Sequence, residues 1–217
     1  TPYSLKTRIT NSFIMFKKAF ITATIVLISL PYYSQEVTVN KPKYGFTVGI
    51  NRSHIEHNIK NVISQNDRVG LRLGVLAEFQ LVKGLYFLPK AELSFNRGSL
   101  TYLEPNLFLR DYEIIPIGLE GKFNLAYKFR EGKTLQPFIL GGASYIQALE
   151  GKKESFEYSV GSTFAVEAGI GIERKFDHFI FAPELRYSRG LNNVNDNPIF
   201  YGNVYFHNFV VALVFKG

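Results

Sequence analysis

The sequence predicts an all-β fold, an eight-stranded antiparallel up-and-down β-barrel that crosses a membrane. Three observations lead to this prediction. From about residue 43 onward, apolar and polar residues alternate with a period of two, as expected for strands with two different faces. This alternation recurs in eight segments, joined by connections that are alternately long and short. A short apolar segment near the start has the layout of a secretory signal peptide.

The signal peptide is predicted at residues 15–34. Two lysines precede an apolar run from Ala19 to Leu30, and a polar exit follows. This run is shorter than the roughly 20 residues that a membrane-spanning helix needs, although a retained membrane anchor is the alternative interpretation. The rest of the chain divides into an upstream extension at residues 1–14, a short periplasmic lead at residues 35–42 and the barrel domain at residues 43–217.

Composition limits the chemistry that the chain can perform. The 217 residues include no Cys, which excludes disulfides, thiol catalysis and thiolate metal sites. The formal net charge is +7, but four Lys and Arg residues and no Asp or Glu lie in the first 34 positions, which leaves +7 − 4 = +3 for the remainder. Both signs of charge are scattered through that remainder. We therefore do not expect nucleic-acid binding.

The eight predicted strands are long enough to cross a bilayer, since a tilted strand needs roughly 9–11 residues. They cover about residues 43–54, 69–82, 85–98, 112–125, 136–147, 162–174, 179–190 and 203–216.

The connections between these strands differ at the two ends of the barrel. Polar loops are predicted at residues 55–68, 99–111, 148–161 and 191–202, and shorter turns at Lys83-Gly84, residues 126–135 and Lys175 to His178. Long loops at one end, short turns at the other and an even number of strands are typical of outer-membrane barrels. We accordingly expect both ends of the barrel domain at the turn end, in the periplasm.

Each strand has one apolar and one polar face, and the pattern alone leaves their direction open. A soluble carrier of the lipocalin kind would turn the apolar face inward, and a membrane barrel would turn it towards lipid. Mixed charges on the polar face favour the membrane barrel, because they can neutralise one another in a filled lumen. The predicted lumen charge network comprises Arg72, Glu78, Lys90, Glu92, Glu120, Lys122, Glu167, Glu184 and Arg186.

Two segments repeat half a chain apart, FLPKAELSFNRG at residues 87–98 and FIFAPELRYSRG at residues 179–190. They form the third and seventh predicted strands, which stand on opposite walls of an eight-stranded barrel. Each places a Glu inward and ends with an Arg, Arg97 or Arg189, in the lipid-facing phase at the loop end. There a cation can reach anionic headgroups, so we predict contact with lipopolysaccharide. Chance similarity of two strands under one composition rule is the alternative.

Other candidate sites have simpler explanations. His54, Glu56 and His57 could hold a metal, but a solvated loop accounts for them better. The inward glutamates could mimic a glycosidase pair, but the lumen leaves no space for a sugar. Glycines such as Gly141, Gly142, Gly169 and Gly171 are interpreted as close-packed strand positions beside large lumen residues. No enzyme activity, metal or cofactor is expected.

The barrel segments resemble those of small outer-membrane proteins of the PorT family. The resemblance is carried by GFTVGIN (45–51), LYFLPKAELSFNRGSLTY (85–102), EIIPIGLEGKF (113–123), LQPFILGGASY (135–145), FAVEAGIGIE (164–173) and FAPELRYSRGLNN (181–193). The leucine-proline pair before a strand ending in Arg, and the PELRYSRGLNN segment, are similar to the narrower branch that takes part in type IX secretion. One departure is the end of the chain, where Lys216 and Gly217 follow the last aromatic residue.

This resemblance implies an integral outer-membrane protein, exported by a signal peptide, that is an accessory component of type IX protein secretion and, in some bacteria, of gliding motility. It would act through contacts with secretion-apparatus proteins, and a basic periplasmic turn with Lys128, Arg130 and Lys133 is a candidate contact. Two alternatives stay open: a general structural or adhesive outer-membrane barrel, and the soluble lipocalin-like carrier.

Overall fold

The computed structural model describes residues 41–59, 62–96, 98–103, 109–129, 133–149, 158–159, 162–195 and 202–217. The predicted upstream extension, signal peptide and most of the lead lie outside these residues. Within them, no helix is long and apolar enough to span a bilayer. The described strands are β1 (Lys43–His57), β2 (Val62–Asn66), β3 (Val69–Val82), β4 (Leu85–Phe95), β5 (Ser99–Leu103), β6 (Leu109–Ile114), β7 (Ile117–Lys128), β8 (Leu135–Ala148), β9 (Tyr158–Ser159), β10 (Thr163–Lys175), β11 (Ile180–Gly190) and β12 (Val204–Lys216).

Eight of these strands close into an antiparallel barrel, which confirms the predicted fold class. The order around the wall is β1, β12, β11, β10, β8, β7, β4 and β3, and β3 pairs with β1 to complete the circle. The two strands that contain the sequence repeat, β4 and β11, are four places apart in this order. They therefore stand on opposite walls, as the repeat predicted.

The alternation of the sequence becomes an apolar outer wall and a packed, largely polar interior. On β3, Leu73 and Val75 are 51% and 61% exposed, whereas Arg72, the residue before Leu73, is 1% exposed on the opposite face. On the other strands the same phase holds, with Phe46 55%, Phe123 62% and Leu213 40% exposed. The predicted orientation, with apolar side chains outside and ionised ones inside, is therefore confirmed.

Both ends of the barrel sequence meet at the turn end. Tyr44 and Gly217 exchange backbone hydrogen bonds of 3.1 and 3.0 Å, which join the start of β1 to the end of β12. The turn between β3 and β4 has only two residues, and Gly84 adopts a φ of 81° there, in the region that favours glycine. The long connections all leave from the opposite end, as predicted from their lengths.

Three of the predicted loops contain strands, so their description as loops was wrong. Beyond the barrel, β2, β5, β6 and β9 form a second sheet in that order. β5 and β6 pair antiparallel, with β5 inside the predicted loop at residues 99–111 and β6 extending beyond it to Ile114, and β9 joins β6 in parallel. Backbone pairing within this sheet satisfies donors and acceptors that an irregular loop would leave to water. We call it the loop-end sheet.

The fourth predicted strand, residues 112–125, is also divided. β6 ends at Ile114, a bend follows at Ile115 and Pro116, and β7 starts at Ile117. Ile115 has a φ of 47°, which β-branched residues rarely adopt, and its side chain is fully buried rather than facing lipid. Period-two counting placed Ile115 and Ile117 on one face because it could not detect the bend between them.

Two apolar clusters close the interior above and below its ionised middle. The loop-end cluster contains Ile55, Leu100, Ile114, Ile115, Ile146, Ala148, Val194, Val204 and Phe206. The turn-end cluster contains Leu76, Tyr86, Leu88, Ala126, Phe138, Leu140, Ala182 and Val214. Both are built from inward positions of the barrel strands, with loop residues added at the loop end. The charged side chains between them are thereby kept from bulk water.

Candidate functional site: the ionised lumen

A cluster of eight ionised side chains fills the middle of the barrel, and we call it the central cluster. Four are basic and four acidic, so their formal charges cancel, and each residue is at most 4% exposed. They come from β3, β4, β7, β10 and β11 and are therefore contributed by five of the eight barrel strands. The members are Arg72, Lys90, Glu92, Glu120, Lys122, Glu167, Glu184 and Arg186.

Arg186 contacts three carboxylates of the central cluster. Its Nη2 donates to Glu92 Oε1 at 2.7 Å, and its Nη1 donates to Glu167 Oε1 at 3.3 Å. Its Nε lies 3.5 Å from Glu184 Oε2 on the same strand. A guanidinium can contact three carboxylates because its donors form a rigid planar fork. Arg186 thus ties β11 to β4 and β10.

The repeated strands β4 and β11 are joined across the lumen by two ion pairs. Glu92 on β4 binds Arg186 on β11, and Lys90 on β4 donates to Glu184 on β11 at 2.6 Å. Opposite walls are therefore connected through the barrel axis. Glu92 and Glu184 occupy equivalent inward positions in the two repeated segments. Each forms an ion pair with a basic residue of the other segment.

The other two cations of the cluster connect the remaining strands. Lys122 on β7 lies 2.7 Å from Glu167 and 3.0 Å from Glu120. Arg72 on β3 donates from Nη1 to Glu120 Oε2 at 2.6 Å and to Glu92 Oε2 at 3.1 Å. Every carboxylate of the central cluster therefore has at least one cationic partner, which is the condition for keeping charges buried.

Glu78 does not belong to the central cluster, which corrects the predicted network. It lies beyond the turn-end apolar cluster and forms a second group, the turn-end ion cluster, with Lys128, Glu173 and Lys216. Lys128 Nζ donates to Glu78 Oε1 at 2.6 Å and to Glu173 Oε2 at 3.0 Å. Lys216 binds both glutamates as well. Lys43 at the rim completes the group, 3.5 Å from Glu78.

The turn-end ion cluster also overturns the predicted role of Lys128 as part of a basic periplasmic contact. Lys128 is the last residue of β7 and is 3% exposed, with its ammonium 3.9 Å from the centroid of the Tyr86 ring. Of the other two residues of that predicted contact, Lys133 is exposed in the turn, and Arg130 lies outside the described residues. The predicted lumen network omitted Lys128, Glu173 and Lys216. Glu173 has the polar phase of its predicted strand, and continuing the period-two count to the ends of β7 and β12 places Lys128 and Lys216 inward as well.

Several inward glycines leave room for the large lumen side chains, as predicted. A Cβ at Gly171 would overlap the Phe138 ring, and one at Gly169 would lie 2.8 Å from Cγ of Arg186. Gly142 is likewise crowded by Asn124. Gly141 is the exception, because a Cβ there meets only the Glu167 carbonyl oxygen at 3.6 Å. Its predicted role as a close-packed position was wrong, since its phase places it on the outer wall.

Of the two arginines predicted to contact lipid headgroups, the structure describes one. Arg189 is exposed on β11, in the lipid-facing phase, and Arg97 lies outside the described residues. His207, paired in register with Arg189, is 3% exposed although its phase is outward. The rings of His54 and Tyr187 stack on either side of it at 6.2 and 6.4 Å. Its Nε2 lies 3.2 Å from Glu56 Oε2 on β1, a partner that no sequence pattern indicated.

Two side chains of the His54, Glu56 and His57 segment pair with residues outside it, His54 with Asp67 and Glu56 with His207. Among the described residues, no three His, Asp or Glu side chains are arranged to hold a metal ion. His54 instead lies 2.8 Å from Asp67 through its Nδ1. Burial opposes ionisation of Asp67, but hydrogen bonds from His54 and Gln65 outweigh it and hold the pKa of this carboxyl below its ordinary value. The pair fastens the segment after β2 to β1.

Comparison with solved structures places the fold among small outer-membrane barrels. OprG from Pseudomonas aeruginosa matches with a TM-score of 0.50 and 12% identity, over 81% of this chain and 94% of that one. Neisserial surface protein A matches with a TM-score of 0.44 and 11% identity, over 79% and 97%. Ail from Yersinia pestis matches with a TM-score of 0.41 and 12% identity, over 82% and 100%.

These identities are too low for the likeness to extend beyond the fold. No protein-family model matches the chain, and no curated protein matches it.

Proposed function

We propose that this protein is an integral β-barrel of the bacterial outer membrane whose filled lumen makes it a structural or docking barrel rather than a pore. One observation carries the proposal: the barrel is apolar outside and ionised inside. Burying such an outer wall in lipid is favourable, whereas a single Lys or Arg at the midplane of that wall would cost about 2–4 kcal/mol.

The dimensions of the wall support this placement. The eight barrel strands have between 11 and 15 residues, and a tilted strand needs roughly 9–11 to cross the hydrocarbon. Closure of the barrel pairs each strand on both sides, so no open sheet edge would face lipid. Large exposed side chains such as Phe164 at 60% and Ile170 at 57% would otherwise contact water.

The interior argues against transport through the barrel axis. Ion pairs cross the lumen between β4 and β11, and an apolar cluster lies on each side of them. A permeating solute would have to separate buried charges, which is costly in a low-dielectric interior. The protein therefore acts through its surfaces, by protein contacts or adhesion at the loop end and lipid contacts on the wall.

The soluble carrier is the poorer alternative. A lipocalin-like protein needs an apolar cavity inside the barrel for its ligand, and here the inward positions carry the central cluster. Membrane fractionation tests this directly. We expect the protein in the outer-membrane fraction, resistant to alkaline and high-salt washes and released by detergent. Recovery in the aqueous phase without detergent would remove the proposal.

A narrower role in type IX secretion, with gliding motility in some bacteria, is the second candidate. Its support is the sequence resemblance to PorT-like proteins, above all in PELRYSRGLNN, which contributes Glu184 and Arg186 to the central cluster. In this role the barrel would be an accessory component that contacts secretion-apparatus proteins and, through Arg189, lipopolysaccharide.

Gene deletion tests the narrower role. Deleting the gene should reduce export of type IX substrates, and a copy supplied in trans should restore it. Unchanged export, in a strain whose outer membrane has demonstrably lost the protein, would remove the secretion role and leave the general barrel. Recovery of secretion-apparatus chains from a pull-down in mild detergent would identify the contacts.

A further inference from the structure

The turn end of the barrel carries basic residues at its β1 end and at each of its short connections. Exposed or half-exposed cations lie before and at the start of β1, between β3 and β4, between β7 and β8, and at the end of β10. They are Lys41, Lys43, Lys83, Lys133, Arg174 and Lys175. Among the described residues of this rim, Asp177 is the exposed acidic side chain. The rim is therefore strongly positive.

Exposed aromatic side chains lie next to these cations on the outer wall. Tyr44 is 64% exposed, Phe176 42% and Phe179 43%. The guanidinium carbon of Arg174 lies 5.0 Å from the centroid of the Phe176 ring, which holds this charge against the wall. Aromatic rings and long cationic side chains together are characteristic of the level at which a membrane protein meets lipid headgroups.

At one point of the rim, two lysines line an open groove of 340 Å³. Lys43 at the start of β1, whose ammonium also lies 3.5 Å from Glu78, and Lys175 at the end of β10 supply its charge. Phe176, Phe179 and Ile180 supply its apolar part. The groove is large enough for a phosphate-bearing headgroup. Its remaining lining comes from Asp177, His178 and Gly217.

A continuous strip of aromatic rings leads from this groove along the outer wall. Phe176 stacks on Phe179 with centroids 4.8 Å apart, and Phe179 lies 6.3 Å from Phe215. Phe215 in turn contacts Phe46 at 5.0 Å and Phe181 at 5.2 Å. Phe46, Phe215 and Phe181 are register partners on β1, β12 and β11, so the strip crosses three neighbouring strands close to the turn end. It thus forms the edge of the apolar band next to the groove, where the acyl chain of a lipid bound in the groove would begin.

We propose that this groove is a binding site for an anionic phospholipid, with the lipid phosphate between Lys43 and Lys175 and the first part of an acyl chain against the aromatic strip. The proposal rests on the proposed membrane placement, with the turn end at the phospholipid leaflet. Lipid fits better than an acidic protein segment because the charged groove and the lipid-facing rings are continuous, and a peptide would cover only the groove.

The test uses the absence of Trp from the chain. Phe179→Trp introduces the sole tryptophan at the junction of groove and strip. The variant is reconstituted in vesicles of mixed lipids, with either the phosphatidylglycerol or the phosphatidylcholine brominated on its acyl chains, and Trp quenching is measured. A lysine near an anionic surface contributes about a fivefold preference, so two predict about a twenty-five-fold preference for phosphatidylglycerol. Raising the salt concentration should weaken it.

Matched charge removals locate the site. In the Phe179→Trp background, Lys43→Gln with Lys175→Gln should abolish most of the preference. Lys83→Gln with Lys133→Gln removes the same amount of charge from turns on the other half of the rim. This control should leave the preference for phosphatidylglycerol unchanged. Circular dichroism and insertion into the vesicles verify that each variant is folded. Added inorganic phosphate at constant ionic strength should not displace the lipid.

Four outcomes would overturn the inference: equal quenching by both lipids, equal losses in the two double variants, loss of the preference in inorganic phosphate, or an unchanged preference in Lys43→Gln with Lys175→Gln. Failure of the unsubstituted protein to enter vesicles at all is a different result. It would contradict the membrane placement itself, so the two failures are distinguishable.

Discussion

Replacement of Arg186 by Met provides the sharpest test of the central cluster. The Arg186 side chain is fully buried and contacts Glu92, Glu167 and Glu184, the closest at 2.7 Å. The central cluster contains four cations and four anions, so Arg186→Met leaves one uncompensated negative charge in the closed interior. Removing one partner from a buried ion pair costs about 3–5 kcal/mol, and we expect the free energy of unfolding to fall by that amount.

The assay is denaturant-induced unfolding of the protein in lipid vesicles, followed by circular dichroism. Arg189→Met is the matched control, because Arg189 is the same residue type three positions along β11 but faces outward. Its cost should stay within about 1 kcal/mol. Arg186→Met combined with Glu92→Gln restores the balance of charge and should be more stable than Arg186→Met alone. A cost below 1 kcal/mol for Arg186→Met, or a double variant no better than the single one, would refute the reasoning.

Three further predictions follow from single features. Gly171→Ala should destabilise the barrel by about 1–3 kcal/mol in the same unfolding assay, because its Cβ overlaps the Phe138 ring, whereas Gly141→Ala should be nearly neutral; equal effects would contradict the packing. The pKa of Asp67, followed by NMR, should lie below that of an ordinary carboxyl and should rise in His54→Ala. Because the pKa of Asp67 is depressed in the folded protein, the stability that Asp67 adds to the segment after β2 is present near neutral pH. It is lost as the pH falls through that pKa. In planar bilayers the purified protein should give no discrete conductance steps, and regular open-channel currents would contradict a lumen closed by ion pairs.

The barrel could be predicted from the sequence because its two faces differ in every strand. Lipid outside and paired charges inside impose opposite chemistry at alternate residues, so Leu73 and Arg72 each carry unambiguous information. Connection lengths then gave the topology, since short turns force antiparallel neighbours. The opposite placement of β4 and β11 follows from strand count alone.

The predictions that were wrong concern features that depend on contacts between distant parts of the chain. The bend at Ile115 requires the surrounding apolar cluster to hold a strained backbone, and no local pattern encodes that cluster. Division of the ion pairs into two groups depends on the height of Glu78 along the axis, which strand register and tilt determine. The loop-end sheet pairs β2 with β5 and β6 with β9, which come from different connections, and these short segments have little alternation to indicate strands.

Accessibility of spin labels tests the central claim, the outward direction of the apolar face, most directly. The chain has no Cys, so a cysteine introduced at Leu73, Phe123 or Lys133 is the only labelling site in each variant. In vesicles, labels at Leu73 and Phe123 should collide with oxygen dissolved in the hydrocarbon and be shielded from a water-soluble nickel complex, whereas a label at Lys133 should show the reverse. Labels at Leu73 and Phe123 that are open to the nickel complex would contradict the account.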